Sequence, residues 1–400
     1  MNNSFCALPW VSLATDTNGD IVPCCVSTQK IKKQDGSNFN LGTDSLIDIY
    51  NSQDFVNLRQ AMIDGELVSG CQECYDNEKY GLSQRLQFNS KYNVESLSAM
   101  IDFNPKYLDV RPGNLCNLRC KSCSPTASSQ FAKEIKALQY QGIEEFHEVN
   151  ISTDNDWYTT NTFYDNIDTA LETIEDIYLT GGEPSIMQSN IDMLTKLIDA
   201  GKSKDINITI STNLTNSNFK FFELLKHFKQ VLVYASIDGF DGVQEYIRYP
   251  SSWKSVVSNL EYVLTLANTQ VVVTPVVQIT NLNKLVDLFQ FIETLNKRNE
   301  KIIYIYPINL ETPDYLDIVN LPTEYKLKCS DKIDQWLDHY TYPVTREHFS
   351  FIKNKAKVNT DFKSQLKKFI RYNSLLDANR QVSLETSNPE LFEMLQEQMG

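Results

Sequence analysis

"YLDVRPGNLCNLRCKSC", residues 107–123, decides how the rest of the chain is read. Its first residues have the mixed apolar and polar pattern of a strand, and its second half places Cys116, Cys120 and Cys123 within eight positions. A structural zinc site usually takes four protein ligands, and a catalytic zinc with three normally includes His or a carboxylate. The four histidines, His147, His227, His339 and His348, all lie far from these cysteines. Iron-sulfur clusters also use thiolates, ordinarily four. A 4Fe-4S cluster held by three keeps one iron open for a small molecule.

Outward from this strand, strand and helix patterns alternate. Strands are expected at 107–112, 176–180, 206–212, 231–238, 271–279 and 301–307, with amphipathic helices near 126–140, 187–200, 218–228, 252–267 and 283–298. Six strands alternating with helices predict an α/β fold, a parallel sheet wrapped by helices as a barrel or part of one. Pro275 interrupts the fifth strand and points to a bulge. In such barrels the chemistry lies on the loops after the strands. There stand the three cysteines, then "GGEP" (Gly181, Gly182, Glu183, Pro184), then Ser211, Thr212 and Asn213, then Ser236 and Asp238.

The first hundred residues read differently. "WVSLATDTNGDIVPCC" predicts a β-hairpin turning at Asn18 and Gly19 with type I′ geometry, and Cys24 and Cys25 end its second strand. A helical stretch then leads to Cys71 and Cys74. With Cys6, these supply four thiolates, and Cys25 is left over because neighbouring strand residues point to opposite faces. Cys329, in a polar helical stretch, reads as an ordinary buried thiol. Clustered Cys-x-x-Cys pairs in a chain without an export signal point to metal rather than disulfides, and a cytoplasmic location is expected.

The net charge of -14 disfavours a broad nucleic-acid surface. The stretch 353–371 carries seven basic residues against one Asp and reads as a solvated helix face. No apolar run approaches membrane-spanning length. Residues 146–164 interrupt a helix-to-strand connection with aromatic and polar side chains, as a lid, a substrate wall or plain packing would. Three domains are expected: an auxiliary cluster unit over 1–100, a partial barrel over 101–310 and a mostly helical extension over 311–400.

The cysteine loop after the first strand, followed by GGEP after the second, resembles the radical S-adenosylmethionine (SAM) enzymes across roughly residues 105 to 310. The resemblance implies a TIM-like partial (β/α)6 barrel, a SAM cluster on Cys116, Cys120 and Cys123, and SAM bound at the open iron. It also implies reductive cleavage of SAM to a 5′-deoxyadenosyl radical that takes hydrogen from a substrate. By the same resemblance Gly181, Gly182, Glu183, Pro184, Ser211, Thr212, Asn213, Ser236, Asp238 and Arg248 face SAM. The N-terminal unit resembles the twitch relative of SPASM domains, which implies a second 4Fe-4S cluster on Cys6, Cys24, Cys71 and Cys74, with Cys25 as the alternative to Cys24. The implied partners are a small-molecule or peptide substrate and an electron donor such as flavodoxin or ferredoxin, with neither nucleic acid nor membrane. The competing readings are an RNA-modifying enzyme of the same kind and a non-enzymatic module with zinc on the four N-terminal thiolates.

Overall fold

The computed structural model describes residues 4–78, 83–92, 94, 98–102, 104–146, 149, 156–310, 312–360 and 362–399. Eight residues of the interrupting segment, 147–148 and 150–155, His147 among them, lie outside the described residues.

Ten strands are described: β1 (Ser12–Thr15), β2 (Ile21–Val22), β3 (Tyr107–Asp109), β4 (Asp176–Leu179), β5 (Asn207–Thr212), β6 (Gln230–Ala235), β7 (Thr269–Val273), β8 (Val276–Val277), β9 (Ile303–Ile305) and β10 (Ile308–Asn309). Each of the six expected barrel strands appears within its predicted neighbourhood, and four of the five expected helices appear as Ser129–Tyr140, Gln188–Asp199, Trp253–Thr265 and Leu285–Arg298, the fifth shortening to Lys220–Leu225. The chain is α/β, as expected, with mostly parallel strand pairing.

The chain divides into two compact units. The first comprises residues 1–115, 152–210 and 223–231. Its sheet runs β2-β1-β3-β4-β5, with β1 and β2 antiparallel and the later pairs parallel. The hairpin therefore extends the sheet edge at β3, with Leu13 opposite Leu108. Pairing in this way removes an exposed edge from the first barrel strand.

The turn of that hairpin differs from expectation. Gly19 has φ +83°, whereas Asn18 is not among the residues with positive φ, so the turn is not type I′. The Asp16 carboxylate accepts from the Asn18 and Asp20 N–H groups at 2.8 and 3.1 Å, and Gly19 N–H donates to the Asp16 carbonyl at 3.2 Å. An Asx-type acceptor at the turn's first residue leaves only its last residue in left-handed space.

What is described of the aromatic segment packs against this hairpin. The Trp157 ring lies on Gly19, where a Cβ would come within 2.5 Å, and its Nε1 donates to the Thr17 carbonyl at 3.1 Å. The ring is buried, so in these residues packing is the observed role.

The second unit comprises residues 116–151, 211–222 and 232–400. Its strands follow the order β6-β7-β9. After Val273 the chain leaves the sheet at Thr274–Pro275, and β8 pairs in parallel with β10 in a separate two-stranded sheet. Proline supplies no ladder N–H, so the strand breaks where a bulge was expected. The tail is helical, with long helices at Thr323–His339 and Phe362–Arg380. Cys329 is buried on the first of them, as an ordinary core thiol is. Four of the basic residues in 353–371 are ion-paired: Lys353 with Asp334, Lys355 with Asp317, Lys368 with Asp314 and Arg371 with Glu145. Among the described residues no helix is long and apolar enough to cross a membrane.

Candidate functional site

The cysteine loop belongs to the second unit, and its own sequence cannot hold it, because a loop of this kind has no ladder or helix hydrogen bonds of its own. Side chains from elsewhere supply them. Ser128 caps the helix Ser129–Tyr140 and its hydroxyl donates to the Leu118 carbonyl at 2.6 Å. The Ser129 hydroxyl bonds both N–H and C=O of Cys116, at 3.2 and 3.3 Å. Backbone N–H groups of Arg119 and Lys121 donate to the carbonyls of Tyr249 and Ile247 at 2.6 and 2.9 Å. Cys116, Leu118 and Cys120 form one buried cluster, and Cys123 packs against it.

Of the residues expected to face SAM, those in this unit have specific duties. Asn213 donates through Nδ2 to Asn117 Oδ1 at 3.0 Å, inside the cysteine loop, while its Oδ1 accepts from Thr215. Thr212 Oγ1 accepts from the Leu214 N–H at 3.2 Å, and the Thr212 carbonyl accepts from Ser236 N–H at 2.9 Å. Ser211 and Ser236 are half-buried at the ends of their strands.

Asp238 is fully buried and grips Arg248 in a two-point pair, Nε to Oδ2 at 2.7 Å and Nη2 to Oδ1 at 3.1 Å. The Val276 N–H completes the carboxylate shell at 2.8 Å. Arg248 Nη1 lies 3.9 Å from Cys120 Sγ. Burial opposes the Arg248 charge, but Asp238 and the Cys120 sulfur outweigh it and hold its pKa above the ordinary value. Asp238 thus positions Arg248 at the cysteines.

In the first unit, the GGEP loop follows β4. Gly182 lies flat on the backbone that leads into Cys116: a Cβ there would stand 2.1 Å from the Leu115 carbonyl oxygen. Glu183 N–H donates to that same oxygen at 2.8 Å. Gly181 has φ +124°, which a side chain disfavours. Glu183 is buried, and its Oε1 accepts from Ser185 N–H at 3.1 Å, capping the short turn that Pro184 begins.

The N-terminal cysteines also lie in the first unit. Burial pushes the Cys6 thiol up to about 12, with Cys71 and Cys74 adding to the shift, and burial pushes Cys71 up to about 11, with Cys74 adding. Cys24 is raised by burial, then by Cys25, Cys6 and Cys71. These influences link Cys6, Cys24 and Cys71 to one another and Cys74 to Cys6 and Cys71, and Arg85 offsets part of the effect at Cys6, Cys71 and Cys74. Cys25 has other neighbours: its thiol exchanges hydrogen bonds with the Gln84 amide at 2.8 and 3.2 Å and faces Asp109 and Arg111. All such thiols must lose protons to bind metal, so cluster uptake releases protons.

The donor sets are all thiolates, the ligands that iron-sulfur clusters take. An apolar cavity of about 290 Å³ in the first unit, lined by Leu108, Phe163, Ile167, Leu179 and Met193, holds none of the expected site residues.

Sequence reading missed Asn117, Lys121, Glu134, Gln244, Asp377 and Arg380. Gln244 Oε1 accepts from the Asp238 and Gly239 N–H groups at 2.7 and 3.3 Å and so shapes the Asp238 turn. Lys121 had a local signal, since a lysine between two cysteine ligands is an odd charge to bury. Asn117, Glu134, Asp377 and Arg380 carry none, because their partners are remote in sequence, whereas Gln244 acts on a turn only five and six residues before it.

Residues 110–292 match the radical SAM superfamily, and residues 6–75 match SPASM, an iron-sulfur cluster-binding domain. The cofactors of these domains are 4Fe-4S clusters and SAM. The sporulation killing factor maturation protein SkfB of Bacillus subtilis is 23% identical over 177 residues, which is 44% of this chain and 37% of SkfB. The chain therefore spans well under half of that relative. Streptococcus suis SuiB bound to S-adenosylmethionine superposes with a TM-score of 0.37 at 12% identity, over 79% of this chain and 67% of SuiB. SuiB bound to the precursor peptide SuiA gives 0.34 at 14%, over 90% and 71%. The chain thus carries a radical SAM match over residues 110–292 and, ahead of it, a SPASM-type iron-sulfur cluster-binding match over residues 6–75.

Proposed function

We propose that this chain is an enzyme that reductively cleaves SAM and abstracts hydrogen from a peptidyl substrate. The observation that carries the reading is the cysteine loop: Cys116, Cys120 and Cys123 packed together, with Arg248 as the polar neighbour of Cys120. When bound, the cluster supplies the electron that splits SAM into methionine and a 5′-deoxyadenosyl radical.

The protein's own residues do the holding. Cys116, Cys120 and Cys123 would ligate three irons, and Asp238 fixes the Arg248 guanidinium as a cation for the SAM carboxylate. Gly182 keeps side-chain bulk off the Leu115 carbonyl, and Glu183 supplies an acceptor for an ammonium group. Cys6, Cys24, Cys71 and Cys74 would close a second cluster that passes electrons. A peptidyl substrate is favoured because SkfB is named for maturing a killing factor. Residues 1–100, 101–310 and 311–400 remain the proposed functional divisions, with a reduced flavodoxin or ferredoxin as electron donor and the cytoplasm as the place of action.

Anaerobic purification should give about eight irons and eight sulfides per chain. With SAM and a reductant the protein should release 5′-deoxyadenosine, and deuterium should pass into it from a labelled substrate peptide. Stoichiometric zinc with no iron would defeat the proposal.

A further inference from the structure

Strands β6, β7 and β9 of the second unit present two unlike faces. Val233, Ala235, Val271, Val273, Ile303 and Ile305 are buried. Among the residues that alternate with them, Tyr234, Ser236, Val272 and Tyr304 are half-buried and Tyr306 is 40% exposed. Side chains alternate across a strand, so these five stand together on the open face.

The register sets them side by side. Val272 pairs with Tyr304 and Val273 with Ile305, and Tyr306 N–H donates to the Val273 carbonyl at 2.9 Å. Thr274 N–H donates to the Ala235 carbonyl at 2.9 Å, which sets Ala235 opposite Val273 by the same parallel pattern. Tyr234, Val272 and Tyr304 therefore form one row, and Ser236 and Tyr306 stand in the next row toward the strand ends. The C-terminal tail adds His348, whose ring meets Tyr306 edge-on at 4.3 Å.

Three features of this wall bear on what it takes. It continues into the cysteine site, because two residues beyond Ser236 the Asp238 carboxylate holds Arg248, whose Nη1 lies 3.9 Å from Cys120 Sγ. None of its five residues is Lys, Arg, Asp or Glu, and burial lowers the His348 pKa, which keeps that ring neutral. Its phenols are uncommitted: among the described residues none of Tyr234, Tyr304 and Tyr306 makes a hydrogen bond through its hydroxyl. Rings that bury apolar area and still offer a hydroxyl suit a partner that mixes apolar side chains with neutral donors and acceptors, as a peptide does. A nucleic-acid strand would need cations beside the aromatic rings, and a charged small molecule would need a counter-charge. The wall supplies neither.

We propose that Tyr234, Tyr304 and Tyr306 are the specificity-determining wall for an extended, uncharged peptide segment, with apolar or aromatic side chains against the rings and backbone amides bonded to the hydroxyls. The inference rests on the reading that the substrate is peptidyl and narrows it: the segment that crosses this face lacks Asp, Glu, Lys and Arg.

The test is photo-capture from a pool of random peptides that carry a central benzoylphenylalanine, incubated with the full-length, anaerobically reconstituted protein and SAM. Captured peptides are sequenced, and the cross-linked protein residue is located by mass spectrometry. Wild-type protein should be labelled at Tyr234 or within 304–308, and the captured peptides should favour Phe, Tyr, Leu, Ile and Val over the charged residues by roughly fivefold or more. Tyr304→Ser/Tyr306→Ser, compared as protein that keeps its SAM-responsive EPR signal, should lose that capture. Tyr306→Arg changes an exposed position and should turn the selection toward Asp and Glu. Labelling elsewhere, a pool without bias, or a bias unchanged by both substitutions would overturn the inference and leave SAM cleavage standing. Single-stranded RNA that displaced the captured peptides would overturn it in favour of a nucleic-acid substrate. Wild-type protein without a SAM-responsive iron signal would instead overturn the functional reading itself.

Discussion

The two cysteine sets are built in opposite ways. Cys116, Cys120 and Cys123 come from one short loop, so their spacing is set locally, but the loop's shape is imposed from Ser128, Asn213, Ile247, Tyr249 and Asp377. Cys6, Cys24, Cys71 and Cys74 come from three separate stretches, so their meeting depends on the first unit folding around them. Arg59 ties part of that frame, donating to the carbonyls of Pro9, Tyr50 and Ala99. A local ligand set can be recognised from spacing and fails through its supports, whereas a dispersed set is recognised only by pattern and fails with its fold.

The largest expected effect separates the sets directly. Cys120→Ala should abolish 5′-deoxyadenosine formation and halve the iron, from about eight to about four per chain, because the remaining cluster keeps its own ligands. Loss of all iron would show that the two sets are not independent. Cys24→Ala should do the reverse, removing the auxiliary iron while SAM still perturbs the remaining EPR signal.

Next comes the support of the local loop. Glu134→Ala leaves the Arg380 guanidinium buried without its carboxylate and should cost about 3–5 kcal/mol in the chemical unfolding of the apoprotein. A loss below about 1 kcal/mol would mean that the pair is not such a support. Gly182→Ala forces the backbone itself to move, since the added Cβ meets the Leu115 carbonyl: this overpacking should cost about 1–3 kcal/mol and weaken SAM binding measured by EPR.

The division between local and remote also explains what the sequence revealed. Strands such as 207–212 were legible because their alternation is a local signal, buried at every second residue. The three cysteines and the GGEP loop were legible because spacing carries their chemistry. Asp238 was read as a group facing SAM, yet its carboxylate is taken up by Arg248 and Val276, and no local pattern announces a partner 38 residues away. The turn at Asn18–Gly19 misled for a related reason: the dipeptide favours type I′, but the Asp16 carboxylate two residues earlier outbids it. Glu134 and Arg380, 246 residues apart, had no sequence signal at all.

The smallest effect sharpens the dispersed set at its one ambiguous position. Cys24 and Cys25 are neighbours in sequence, and burial raises both thiols, so acidity does not distinguish them. Their surroundings do: besides Cys25, Cys24 feels Cys6 and Cys71, whereas Cys25 turns to Asp109, Gln84 and Arg111. Cys25→Ala removes a weak hydrogen-bonding thiol from a half-buried amide that can bond water instead. It should cost no more than about 1 kcal/mol and leave iron content and both EPR signals intact. Loss of four irons in this variant, with retention in Cys24→Ala, would reverse the ligand assignment and move the auxiliary site to the face of the hairpin that carries Asp109 as its neighbour.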